Sequence, residues 1–156
     1  MRFILTERSR LYTESVNERA ELWLEQARRD LAWAEDSRDT GHFHGACFVA
    51  QQAAEKALKA VIEELDLGFV RTHSLTRLYE LVRLHYPVVG NMDMLDRLDS
   101  VYIEARYPGE MGLLPFGKPT SDEAADLFGF ANDIFHRLQA GLQDEVAPVA
   151  AGSDES

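Results

Sequence analysis

The chain has a single cysteine, Cys47, among its 156 residues. One thiol closes no internal disulfide, which excludes a disulfide-stapled scaffold and leads to the expectation of a reducing, cytoplasmic compartment. No apolar run approaches the roughly 18 residues that a membrane-spanning helix needs, and the Phe3-Ile4-Leu5 patch is far too short for a signal segment. Positive charge is also scarce: 16 Lys and Arg stand against 27 Asp and Glu, for a net charge of −11. Broad attraction to nucleic acid or anionic lipid works through a basic surface, so this balance excludes it and leaves room only for a local basic pocket. Equally missing are a GxGxxG turn, a P-loop, an HExxH helix, a nucleophile elbow and any sustained period-2 alternation. Three of the five prolines fall within residues 108–119, PGEMGLLPFGKP, which reads as a loop.

What is present is helical. Residues 45–65, GACFVAQQAAEKALKAVIEEL, hold no Gly or Pro after Gly45 and are dense in good helix formers. At about 100° per residue, Ala46, Ala50, Ala53, Ala57 and Ala60 form a small-residue seam flanked by Cys47, Ala54, Leu58, Val61 and Leu65. Such a helix belongs at the centre of a bundle, with only the strip Gln51, Gln52, Glu55, Lys56, Lys59 and Glu63 reaching solvent or a site. Cys47, on the apolar face, reads as a small core residue and not as a nucleophile.

The flanking segments follow the same logic. A first helix runs from about Ser15 or Asn17 to Asp39, with Ala20, Trp23, Leu24, Ala27, Leu31 and Ala34 as its inward stripe, and Thr40-Gly41 breaks it. Gly68 suits the left-handed position after the central helix. Thr72 and Ser74 compete to cap a third helix that must stop by Tyr86, before Pro87. A fourth helix follows Asn91, and a fifth opens on the capping-box pair Thr120 and Glu123. The expected fold is all-α, an up-and-down antiparallel bundle of about five helices over residues 16–145, with an N-terminal arm at 1–15 and a disordered tail at 146–156.

Metal-ligand spacing is absent around His42 and His44. The acidic positions Asp93, Asp96, Asp99 and Glu104 read as a solvated face, so neither a metal nor a cofactor is expected. Three groups carry more chemistry: the polar strip of the central helix, Thr72-His73-Ser74 at a helix start with its free amides, and Arg106-Tyr107-Pro108 at a helix end. Antiparallel return of the chain brings the second group near Lys56 and Lys59. The candidate ligand-binding set is therefore Gln52, Glu55, Lys56, Lys59, His73, Arg106 and Tyr107. The competing reading is a buried polar network that sets helix register, with Glu55 bonded to Lys59.

The succession of QQAAEKALKA, THSL and ARYP, in that order, resembles the HEPN domain of prokaryotes over roughly residues 20–140. The resemblance implies a helical bundle that dimerises, often encoded beside a minimal nucleotidyltransferase as a toxin–antitoxin-like pair. It also implies nucleotide binding or, in many members, metal-independent ribonuclease activity from an Arg followed four to six residues later by His, late in the domain. Here Arg106 has no His in that window, Arg137 follows His136, and Arg38 and His44 straddle the first interhelical turn. The expectation is a homodimeric, membrane-free module that binds a nucleotide, RNA or a nucleotidyltransferase partner. The alternative is an endoribonuclease with His73 or His44 as base and Arg106 as charge stabiliser. Trp33, off the main stripe of its helix, and Phe48, intruding on the polar strip, favour the dimer.

Overall fold

Local residue choices account for where each helix begins and ends. The structure, a computed structural model, describes residues 16–86, 91–106 and 119–152, with the backbone alone over 104–106 and 144–152. Its helices are α1 (Glu18–Asp39), α2 (Phe43–Glu64), α3 (Leu75–Val82), α4 (Met92–Arg106) and α5 (Ser121–Gly152), and no strand occurs among the described residues. Asn17 caps α1 by accepting from the Ala20 amide at 2.8 Å. Ser74, not Thr72, caps α3, while Thr72 Oγ1 accepts from the Ser74 amide at 3.1 Å. The capping box opens α5, with the Thr120 amide donating to Glu123 at 2.9 Å and the Glu123 amide to Thr120 Oγ1 at 3.1 Å.

The C-termini of α1 and α2 close alike. After α1, Gly41 takes a φ of 85° and the His42 amide reaches the Ser37 carbonyl at 2.8 Å. After α2, the left-handed position directly past the Leu65 cap belongs to Asp66 (φ 54°), and the Leu67 amide reaches the Ile62 carbonyl at 3.0 Å. Both are Schellman closures, and the short polar side chain of Asp lets it stand where the sequence suggested glycine. Gly68 follows two residues later with a φ of 112°.

The central position of residues 45–65 is realised in α2, which packs against each of the other four helices. Its seam is sealed: Ala46, Ala50, Ala53, Ala54, Ala57 and Ala60 have no solvent exposure. Side chains this small let helix axes approach closely, and larger residues from the neighbours fill the space between, Leu24 and Leu31 from α1, Leu78 from α3, Leu98 from α4 and Phe135 and Leu138 from α5. α1 and α2 run antiparallel, for the Asn17 amide at the start of α1 donates to buried Glu64 at the end of α2, at 2.7 Å. The helix α2 also starts two residues before Gly45, taking in His44, and α5 continues past Glu145 to Gly152 through an alanine-rich stretch. No helix among the described residues is long and apolar enough to cross a membrane. The arm at 1–15 and the loop at 108–118 lie outside the described residues.

Two glycines of α5 make contrasting expectations. A Cβ on Gly141 would stand 2.9 Å from two ring carbons of buried Tyr86, whereas one on Gly129 would meet nothing within 4 Å. Gly129→Ala should raise stability by up to about 1 kcal/mol through helix propensity. Gly141→Ala should lower it by about 1–3 kcal/mol, since overpacking outweighs the same propensity gain. Urea denaturation of the two variants checks the opposite signs.

Candidate functional site

Glu55 is the polar centre of α2. Its carboxylate is 95% hidden, with 5% exposure, a placement that demands charge compensation. Lys59, one turn on, supplies it from Nζ to Oε2 at 2.7 Å, and His73 Nδ1 lies 3.3 and 3.2 Å from the two carboxylate oxygens. The histidine is gripped elsewhere too. Gln51, wholly buried, donates to its main-chain carbonyl at 2.9 Å, and its ring stacks on Tyr102 of α4 at 4.9 Å, which stacks in turn on Phe48. An ionised Glu55 only accepts hydrogen bonds, which assigns the ring proton in this contact to Nδ1.

Lys59 and His73 also line a cavity of about 460 Å³ between α1, α2 and the connection to α3. Its walls include Arg19 and Trp23 of α1, Ile62 and Glu63 of α2, and residues 68–72. Two cations here sit over aromatic faces: Lys59 Nζ lies 5.6 Å from the Trp23 ring centre, and the Arg71 guanidinium lies 5.7 Å from that of Phe69. Arg19 pairs with Glu63 at 2.9 Å, whereas no carboxylate among the described residues pairs with Arg71. Phe69, at 85% exposure, stands open at the rim. The arrangement presents positive charge and apolar ring surface to one half-open cleft.

The candidate set thus divides. Glu55, Lys59 and His73 come together, and Gln52 joins at one remove by donating to Gln51 Oε1 at 2.7 Å. Lys56 turns the other way, onto Asp30 of α1 at 2.6 Å, because its position on the helix faces that neighbour and not the connection. Arg106 ends α4 with only its backbone described, and Tyr107 lies outside the described residues. The amides at the start of α3 are not open to an outside anion. Asp99 of α4 occupies them, accepting from the Leu75 amide at 2.8 Å, Ser74 Oγ at 3.0 Å and the Thr76 amide at 3.4 Å. One member of the supposed solvated acidic face is therefore an internal cap.

Sequence reasoning missed Arg19, Phe69 and Arg71, and placed Trp23 only in the core stripe, although it is half-buried at the cavity. The adjacency of Arg71 to Thr72-His73 was the available signal. Cys47 is core, as expected: burial, aided by Glu123, pushes its thiol up to about 12. At the α1–α2 turn, Arg38 lies over Phe128 at 5.3 Å, and Arg38 Nε and His44 Nε2 are enclosed without hydrogen-bond partners among the described residues. His136 is exposed, edge-on to Phe135. Among the described residues no group of three His, Cys, Asp or Glu side chains is placed to hold a metal ion.

Comparison with known proteins agrees with this architecture. The HEPN domain family model matches residues 20–141. The crystal structure of ST0689, an archaeal HEPN homologue, aligns with 81% of this chain and 99% of its own at 26% identity and a TM-score of 0.61. That of TT1696 from Thermus thermophilus aligns with 81% of this chain and 100% of its own at 31% identity and a TM-score of 0.62. No curated protein matches.

The Asp99 cap has a pH signature. Burial holds its carboxyl above the ordinary carboxylate range, against the lowering pull of the hydrogen bonds from Leu75, Ser74 and Thr76. A raised folded-state value means that the folded protein binds this proton more tightly than the unfolded chain. The stability contributed is full below the unfolded value and is lost as pH rises through the folded one. Compared with Asp99→Asn, the wild type should therefore gain relative stability as pH falls from 7 towards 4, which paired urea titrations across that range measure.

Proposed function

Because the chain belongs to the HEPN domain family, we propose that it is a homodimeric binding module that holds a nucleotide through its phosphate in the cavity between α1, α2 and residues 68–73. The observation that carries this reading is the gathering of Arg19, Lys59, Arg71 and His73 around one cavity in a chain of net charge −11. A volume of about 460 Å³ suits a small-molecule site. Charge-assisted hydrogen bonds to a phosphate contribute on the order of 1.5–3 kcal/mol each. A base stacked on Trp23 or Phe69 adds about 1–3 kcal/mol.

The dimer rests on exposed apolar side chains that one small bundle leaves uncovered, among them Leu22 and Trp33 on α1 at 63% and 61% exposure. We take the partner from the family resemblance, a minimal nucleotidyltransferase in a toxin–antitoxin-like pair, and the cytoplasm as the compartment from the single cysteine. A second reading, ribonuclease action, is favoured by one observation: the bond from His73 Nδ1 to Glu55 orients the ring as a base.

Arg71→Ala tests the binding reading most cleanly, since Arg71 is exposed and lacks an ion-pair partner among the described residues. It should weaken binding of a nucleoside monophosphate about tenfold or more and leave the melting temperature unchanged. Lys59→Ala should weaken binding similarly, but with a loss of stability of about 3 kcal/mol, because buried Glu55 is left with His73 alone. Unaltered titration calorimetry in both variants would reject the cavity as the site. Light scattering should give twice the monomer mass at micromolar protein. Under the binding reading, incubation with RNA yields no 2′,3′-cyclic phosphate ends, whereas cleavage abolished by His73→Ala would establish the enzymatic one.

A further inference from the structure

The charges around the cavity count in pairs. Arg19 is matched by Glu63, and Lys59 by Glu55, so with a neutral His73 the one charge around the cavity left uncompensated among the described residues is the positive charge of Arg71. A proton on His73 changes that count, because the imidazolium can compensate Glu55, to which it is already bonded, and release Lys59 Nζ towards the cavity it lines. The site then carries two uncompensated positive charges. A single charge matches a phosphodiester; two match the dianion of a phosphate monoester.

Resting on the nucleotide-binding reading, we infer that the cavity selects a terminal phosphate over an internal phosphodiester, and that it binds the dianion together with one proton on His73. The surroundings of that ring are consistent with a side chain that exchanges its proton and keeps its place. The His73 side chain is 56% exposed, while Glu55 and Lys59 face it from α2. Neutral Tyr102 stacks on it from α4, and Gln51 holds its carbonyl. Its own segment brings Arg71 and Thr72, and Asp99 of α4 is already taken by the amides of α3.

Linkage gives a distinctive pH profile. The bound complex holds one proton, on His73. The free monoester, whose second ionisation falls near 6, holds almost none above about pH 7, so wherever the free imidazole is neutral binding takes up a proton and affinity drops by up to about tenfold per pH unit. Where both free partners are protonated, binding releases one. Affinity should therefore pass through a maximum.

The test uses the full chain, adenosine 5′-monophosphate and its methyl ester, which carries one charge at every pH from 5 to 9. Titration calorimetry in buffers of different ionisation enthalpy reads affinity and proton uptake together. In the wild type the monophosphate should bind about tenfold or more tightly than the ester at pH 7, with uptake approaching one proton at pH 8. His73→Gln should bind the two ligands within about threefold of each other and take up no proton. Arg71→Ala should weaken both ligands alike and preserve the uptake, which separates His73 from any general loss of positive charge. Equal wild-type affinities for the two ligands, or binding without proton uptake, would overturn this inference and leave the binding reading standing. Failure of either ligand to bind the folded wild type would overturn both.

Discussion

The alanine face of α2 is the constraint on which the rest of the molecule depends. Six alanines without solvent exposure leave room for α1, α3, α4 and α5 to pack around one helix, and the bulk of the core is supplied from outside that helix by leucine and phenylalanine. A larger residue at any of these positions would push an axis outward along its whole length, because well-packed interiors transmit strain. The turn geometry serves the same end: both ends of the α1–α2 pair are closed by left-handed residues, Gly41 and Asp66, so that the chain reverses in register with the seam.

A helix surrounded in this way has little room for polar residues, and those it carries must be paired within the protein. Gln51 bonds to the His73 carbonyl, Glu55 to Lys59 and His73, Lys56 to Asp30, and Glu64 to the amide that opens α1. A buried ionic network of this kind contributes little net stability against an apolar equivalent, although removing one partner is costly. Its yield here is positional. Gln51 and Glu55 fix the backbone and the ring of a residue on an irregular connection, which gives His73 the definition of a helical side chain. Asp99 does the same for the start of α3, by spending a carboxylate on amides that would otherwise attract an external anion.

Charge distribution connects that scaffold to the proposed role. With 27 acidic residues the surface as a whole repels anions. The proposed anionic ligand therefore needs a place where cations are concentrated and carboxylates are either absent or already compensated. The cavity between α1, α2 and residues 68–73 meets both conditions, with Glu63 tied to Arg19 and Glu55 shared between Lys59 and His73. Under the proposed role, the surrounding acidity would disfavour long polyanions, which must approach across it.

The sequence by itself determined the helices and the identity of the central one and narrowed their N-caps, because those follow from local spacing: the alanine period of residues 45–65, Ser15 or Asn17, Thr72 or Ser74, and Asn91 ahead of helices, and the Thr120–Glu123 pair. It also made legible that Glu55 and Lys59 pair, since i,i+4 proximity is a property of one helix. Only the tertiary structure decided which polar groups share a site. Lys56 and Lys59 are three residues apart, yet one faces Asp30 on α1 and the other the cavity, a difference set by where the neighbouring helices stand. The tertiary structure likewise turned Asp99 from a surface acid into a cap and brought Arg19, Trp23, Phe69 and Arg71 together from separate segments. The physical reason is range: caps and periodicity act within a few residues along the chain, whereas the charge balance of a cavity depends on helices whose meeting is fixed only when the core packs.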